Sequence, residues 1–152
     1  MTLSDVLDLE HFLPYRLSVL SNRISASISR LYAERFALGM TEWRVMAVIG
    51  LSPGLSSSEV VERTAMDKVA VSRAVDRLLR SGRLLREIDQ ADRRRGLLRL
   101  SEAGRAVYDE VVPAALALER RLLDGIPAAG RSQLDQLLQQ LDTSAAALQE
   151  PN

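Results

Sequence analysis

Apolar side chains return every three or four positions between residues 6 and 38: Leu7, Leu13, Leu17, Leu20, Ile24, Ile28 and Leu31. That period predicts one long amphipathic helix, bent or interrupted near Pro14 and stopped at Gly39. Thr41 is the expected N-cap of a second helix over EWRVMAVIGL, closed by Ser52-Pro53-Gly54. Ser56 or Ser57 caps a short third helix, SSEVVERTA, and Glu59 stands three residues after Ser56 as a capping box requires. Asp67 caps a fourth helix, KVAVSRAVDRLLRSG, which Gly82 ends. The period then shortens. RLLREI and GLLRLS are strand-like runs separated by the polar segment DQADRRR, which predicts a hairpin with an extended tip. Ser101 caps a fifth helix reaching about Asp124, with Pro113 expected to kink or split it. Gly125 ends that helix, and Pro127 opens a sixth that runs to about Leu148.

The fold class is therefore mainly α with a small β-hairpin. Two short helices joined by a tight turn and followed by a hairpin outline a winged helix-turn-helix at about residues 56–101. The faces of the fourth helix separate cleanly at about 100° per residue. Val71, Ala74, Val75, Leu78 and Leu79 form a core side; Val69, Ser72, Arg73, Asp76, Arg77 and Arg80 lie opposite. The start of that outer face is small and polar enough to enter a DNA major groove about 12 Å wide. Ser72 suits bases or phosphates, Arg73 a guanine edge or a phosphate, and Val69 a thymine methyl. Arg77 and Arg80, farther along, suit phosphates. Ser57 and Lys68, at the starts of the two helices, complete the DNA-facing set. An ordinary amphipathic surface helix shows the same pattern, so the helix alone leaves both readings open.

The hairpin tip adds weight to DNA. Arg93, Arg94 and Arg95 are adjacent and repel one another. Asp92 can pair with one of them and hold the tip in shape. The remaining arginines suit a narrow minor groove, where negative potential is strongest. Charge distribution points the same way. The chain has no net charge, yet residues 63–99 carry 11 basic and 5 acidic residues against 9 and 15 elsewhere. A basic island between acidic ends is the footprint of a nucleic-acid module, although a solvated charged face would look alike.

Composition removes several classes. Without Cys there are no disulfides, thiolate metal sites or cysteine nucleophiles, and His11 alone cannot build a histidine metal cluster. No phosphate-binding glycine loop or Ser-His-Asp spacing stands out, so an enzyme is not expected, nor is a cofactor or a metal. The opening MTLSDVLDLEHFL is acidic, unlike a secretory leader, and no apolar run reaches the roughly 20 residues of a membrane span. The expectation is a cytoplasmic protein without membrane contact.

Residues 65–104, AMDKVAVSRAVDRLLRSGRLLREIDQADRRRGLLRLSEAG, resemble the signature of the MarR family of bacterial regulators. The resemblance rests on Asp67-Lys68, Val71-Ser72-Arg73, Asp76-Arg77-Leu78, Asp92-Arg93-Arg94 and Leu100-Ser101-Glu102-Ala103-Gly104. The flanking helices fit it as well. It implies a homodimer built by interlocking first and last helices, residues 1–38 and 102–152, around DNA-binding lobes formed by residues 39–101. It also implies a transcriptional repressor of a pseudo-palindromic operator in double-stranded DNA, with a small-molecule site between the dimerisation helices and the lobe. The sequence supports the dimer separately. Val107, Val111, Leu116, Leu122, Leu123, Ile126, Leu134, Leu137, Leu138, Leu141 and Leu148 are more apolar positions than a 150-residue monomer covers easily. The competing class is a winged helix used for protein contacts without DNA; such modules usually lack arginines on both recognition helix and wing.

The missing cysteines and the single histidine leave an organic effector, or none. Residues 10–25, EHFLPYRLSVLSNRIS, resemble MarR-type regulators of aromatic-acid catabolism, which implies an aromatic acid or its CoA thioester. His11, Tyr15, Arg16, Ser18 and Asn22 along the first helix, with Trp43 and Arg44 on the second, offer an aromatic wall and a guanidinium for such a ligand. Equally, Arg16 and Arg44 suit intersubunit ion pairs and Trp43 suits the core.

Overall fold

In the computed structural model, which describes residues 6–150, the first helix is shorter than its apolar period. α1 runs Leu13–Ser29 with Pro14 in its opening turn, where the missing N–H breaks no hydrogen bond. The chain leaves the helix before Tyr32, which is almost wholly buried. It then makes a separate turn, α2 (Ala33–Phe36), closed by Ala37 at φ +51°. The single helix expected over 6–38 is thus two, because burying Tyr32 and Leu38 outweighs a continuous period.

α3 (Met40–Leu51) is capped at Gly39 rather than Thr41, and the Glu42 carboxylate accepts the Gly39 N–H at 3.4 Å. α4 (Ser57–Thr64) starts as expected, with Ser56 Oγ accepting from Glu59 N–H at 3.3 Å. The Glu59 carboxylate, however, turns to Arg95 rather than back to its cap. Asp67 caps α5 (Lys68–Arg80) by accepting from Ala70 N–H at 3.0 Å. β1 (Leu84–Ile88) and β2 (Gly96–Leu100) pair antiparallel, Leu84 opposite Leu100 and Ile88 opposite Gly96. Leu55 adds an unforeseen one-residue bridge: Leu98 N–H donates to its carbonyl at 2.8 Å. Ser101 Oγ donates to the Gly82 carbonyl at 2.5 Å and accepts from Gly104 N–H at 3.0 Å, fastening the hairpin to the start of α6 (Glu102–Leu122). α6 continues through Pro113, where a kink or split was expected.

The chain forms two compact units divided between Ala115 and Leu116. The core of the first gathers Val45, Met46 and Ile49 of α3, Val60 of α4, and Val71, Ala74, Val75 and Leu78 of α5. Leu84 and Leu98 of the hairpin and Val107 and Val111 of α6 complete it. Val107 and Val111 were counted among the positions a dimer would cover; they are covered within the first unit itself. Trp43 stacks on Tyr32 at 5.7 Å between ring centroids and is tilted against Tyr108 at 6.1 Å.

The second unit holds the end of α6 and α7 (Ala128–Ala147), for which Pro127 is the N-cap. Arg131 closes the turn between them, donating from Nε to the Ile126 carbonyl and from Nη2 to the Leu123 carbonyl, both at 2.9 Å. No side chain of α7 is buried. No helix among the described residues is long and apolar enough to cross a membrane.

Candidate nucleic-acid interface

α4, the turn at Ala65–Asp67, α5 and the hairpin form one surface. Ala65 reverses the chain at φ +51°, and Asp67 restarts it as the cap of α5. Because Val71, Ala74, Val75 and Leu78 are buried, the orientation of α5 about its own axis is fixed. Lys68, Val69, Ser72, Arg73, Asp76, Arg77 and Arg80 are consequently exposed on one side, as their spacing predicts. Two depressions flank this surface. One of about 220 Å³ separates the starts of α4 and α5 and is lined by Ser57, Ser58, Lys68 and Ser72 above Val61 and Val71. The other, an open groove of about 660 Å³, lies between the start of α4 and the hairpin tip. Ser57, Ser58, Glu59, Arg86, Arg94 and Arg95 line it. Ser57 borders both.

The wing tip keeps its shape through its backbone. Asp92 Oδ1 accepts from Arg94 N–H at 3.1 Å, and its carbonyl accepts from Arg95 N–H at 3.0 Å. Asp92 thus holds backbone N–H groups of the tip with its carboxylate and its carbonyl, and does not make the expected side-chain ion pair among the described residues. Asp89 N–H donates to the Arg95 carbonyl at 3.0 Å and closes the loop.

The expected DNA-facing arginines divide into two groups. Arg73, Arg93 and Arg94 are exposed and make no ion pair among the described residues. Arg77 and Arg95 are engaged by carboxylates of neighbouring elements, Glu42 on α3 and Glu59 on α4. Arg86 was not foreseen. Its stem lies against Gly96, where an added Cβ would come within 2.9 Å of Arg86 Cδ, and its head borders the larger groove. The signal was legible as strand alternation: Leu84, Arg86 and Ile88 share a face, and the glycine opposite Ile88 makes room for a long side chain.

The expected effector residues do not gather in one place. Trp43 takes its core alternative, between Tyr32 and Tyr108. Tyr15, Arg16, Ser18 and Asn22 are exposed along α1. His11 precedes the helix and is exposed, its Nδ1 2.7 Å from Asp8 Oδ2. Arg44 connects α3 to α1 by donating from Nη2 to Ser25 Oγ at 3.3 Å. Burial raises the pKa of the Tyr32 hydroxyl, and the positive charge of Arg44 partly offsets the shift. Ser25 and Tyr32 were not singled out from sequence.

Residues 38–95, the span from α3 to the wing tip, match the profile of the MarR family. Solved structures extend the likeness over nearly the whole chain. A MarR/EmrR family regulator from Acinetobacter sp. ADP1 is 26% identical with a TM-score of 0.85, covering 93% of this chain and 99% of its own. A MarR family regulator from Silicibacter pomeroyi is 27% identical with a TM-score of 0.76, covering 88% and 90%. The Bordetella bronchiseptica regulator BpsR, whose DNA binding is regulated by 6-hydroxynicotinic acid, is 25% identical with a TM-score of 0.79, covering 90% and 97%. No protein of curated function matches the sequence. Residues 38–95 thus match the MarR family's model, and over nearly its whole length the chain has the winged-helix fold of MarR family transcription regulators.

Proposed function

We propose that the protein is a cytoplasmic, ligand-responsive repressor that binds a pseudo-palindromic duplex as a homodimer. The observation that carries DNA binding is the single basic surface formed by the outer face of α5 and the wing. Arg73, Arg93 and Arg94 make no ion pair there among the described residues, beside a groove bordered by Arg86. In this reading α5 enters the major groove with Ser72, Arg73 and Val69 near bases, while Lys68 and Ser57 meet phosphates. The wing places Arg93 and Arg94 in the flanking minor groove. The dimer is supported by the exposed leucines of α1 and α7, so the segments before residue 39 and after about residue 115 are its natural surface. A twofold axis would set two α5 helices about 34 Å apart, one DNA turn.

For the effector, Arg44 beside the Tyr32–Trp43 stack favours a planar organic acid, a class to which the ligand of BpsR also belongs. A thermal-shift screen of aromatic acids and their CoA thioesters tests this, since a ligand at 100 times its dissociation constant adds about 2.7 kcal/mol. DNA binding is tested by titrating duplexes at several salt concentrations. Arg94→Ala is expected to weaken binding and lower the salt slope by about 0.9 while leaving the fold intact. If wild type enriches no duplex and shows no salt-dependent binding, the lobe is a protein-contact module instead.

A further inference from the structure

We infer that Arg77, although it lies on the DNA-facing side of α5, serves recognition as a positioning residue acting through Glu42, and not as a phosphate contact. Three observations support this. First, Arg77 Nε donates to Glu42 Oε1 at 2.5 Å, so the charge is already matched inside the subunit. The arginine remains about half exposed, whereas Glu42 keeps only 13% of its side chain in solvent. A carboxylate that sheltered is a poor candidate to release its partner to DNA. Second, the anchor is stiff. The other Glu42 oxygen accepts the Gly39 N–H, and the next residue, Trp43, is locked between Tyr32 and Tyr108. Third, distance along the helix matters. Arg73 lies about 7.5 Å from Lys68 along the axis and Arg77 about 13.5 Å, at about 1.5 Å per residue. In a helix that contacts base edges through its N-terminal residues, Arg73 is the nearer of the two to the bases and Arg77 the farther.

The consequence is a fixed strut between the third turn of α5 and the first turn of α3. The buried face of α5 sets its rotation; the strut sets its tilt, and so the depth at which Ser72 and Arg73 present themselves. This rests on the DNA-binding reading above, and the experiment separates the two. The probes are the duplex that wild-type protein enriches from a random-sequence pool and an unrelated duplex of equal length. Each is titrated over a range of salt with wild type, Arg77→Ala, Glu42→Gln and the double variant; melting curves confirm that each is folded.

Glu42→Gln gives the decisive sign. Removing a negative charge near DNA tightens binding if electrostatics alone acts, whereas loss of the strut weakens it. The expected result is that either single change weakens binding to the enriched duplex about tenfold, in the range of coupled pairs, with the double variant no worse. The salt slope stays at the wild-type value, and binding to the unrelated duplex changes little. The inference is overturned if Arg77→Ala lowers the slope by about 0.9 on both duplexes, or if Glu42→Gln binds as tightly as wild type or tighter. Should Glu42→Gln fail to fold, the slope of Arg77→Ala still decides between contact and strut. A wild type that enriches nothing refutes DNA binding itself, a separate outcome.

Discussion

α5 and α7 carry the same kind of apolar repeat and meet opposite fates. In α5, Val71, Ala74, Val75 and Leu78 are all but inaccessible to solvent, covered by α3, α4 and the hairpin. In α7, Leu134, Leu137, Leu138 and Leu141 recur at spacings of one, three and four, yet each keeps 37–48% of its surface in solvent. Exposure on that scale along one helix marks a face that another surface is expected to cover. A repeat announces that a face must be covered; it does not announce by what. Inside the lobe the covering elements are close in sequence. For the exposed leucines of α7 a second copy of the chain is the proposed partner.

The largest effect that tests this contrast comes from making like substitutions in both helices. Leu78→Ala removes a fully buried side chain and is expected to destabilise the lobe by about 2–5 kcal/mol, read as a shift in urea midpoint at unchanged slope. Leu137→Glu should leave the lobe folded by circular dichroism and convert the dimer to monomer in sedimentation equilibrium, because an isologous interface meets the new charge twice. If Leu137→Glu unfolds the lobe, or the protein sediments unchanged, α7 is not the interface and the contrast fails.

Most of the lobe could be read from the residues because its signals are local. Ser56, Asp67 and Ser101 announce helix starts whose side-chain hydrogen bonds are all present. The change of period after Gly82 locates the hairpin to within a residue. What could not be read depends on distant packing. The break before Tyr32 exists because that ring finds Trp43, 11 positions away, and Trp43 finds Tyr108. The division of the arginines is also non-local. Nothing in SRAVDR or DRRRG distinguishes Arg77 from Arg73, or Arg95 from Arg94; the partners Glu42 and Glu59 lie 35 and 36 residues earlier. Arg86 escaped notice because arginine on a short strand resembles a solvated side chain until Gly96 is placed beside it.

A second substitution asks how tightly the wing is bound to the helical part of the lobe. Gly104 in the first turn of α6 sits so close to the hairpin that an added Cβ would fall 2.0 Å from the Arg83 carbonyl oxygen. That oxygen also accepts from Ser101 N–H at 3.0 Å, so it cannot simply withdraw. Gly104→Ala is expected to destabilise the lobe by about 1–3 kcal/mol, the usual cost of overpacking. It should also loosen the wing, read as faster amide exchange at Leu98. Wild-type stability in this variant would mean that α6 and the hairpin shift apart without cost.

The smallest effect separates lobe stability from dimer stability. Ala65 closes α4 at φ +51° in the turn of the helix-turn-helix, a conformation that costs an alanine roughly 1 kcal/mol and a glycine almost nothing. Ala65→Gly removes that strain but gives the unfolded chain more freedom, which takes back about 0.4–1 kcal/mol. The net gain is a few tenths of a kcal/mol, a rise in melting temperature of about 1 °C for a chain of this size. Because Ala65 lies on the lobe and not on α7, the dimer dissociation constant should not move. A lower melting temperature would show that the Ala65 methyl makes a contact worth more than its strain. A changed dissociation constant would show that lobe and dimer surface are one cooperative unit, and the contrast between α5 and α7 would then describe exposure alone.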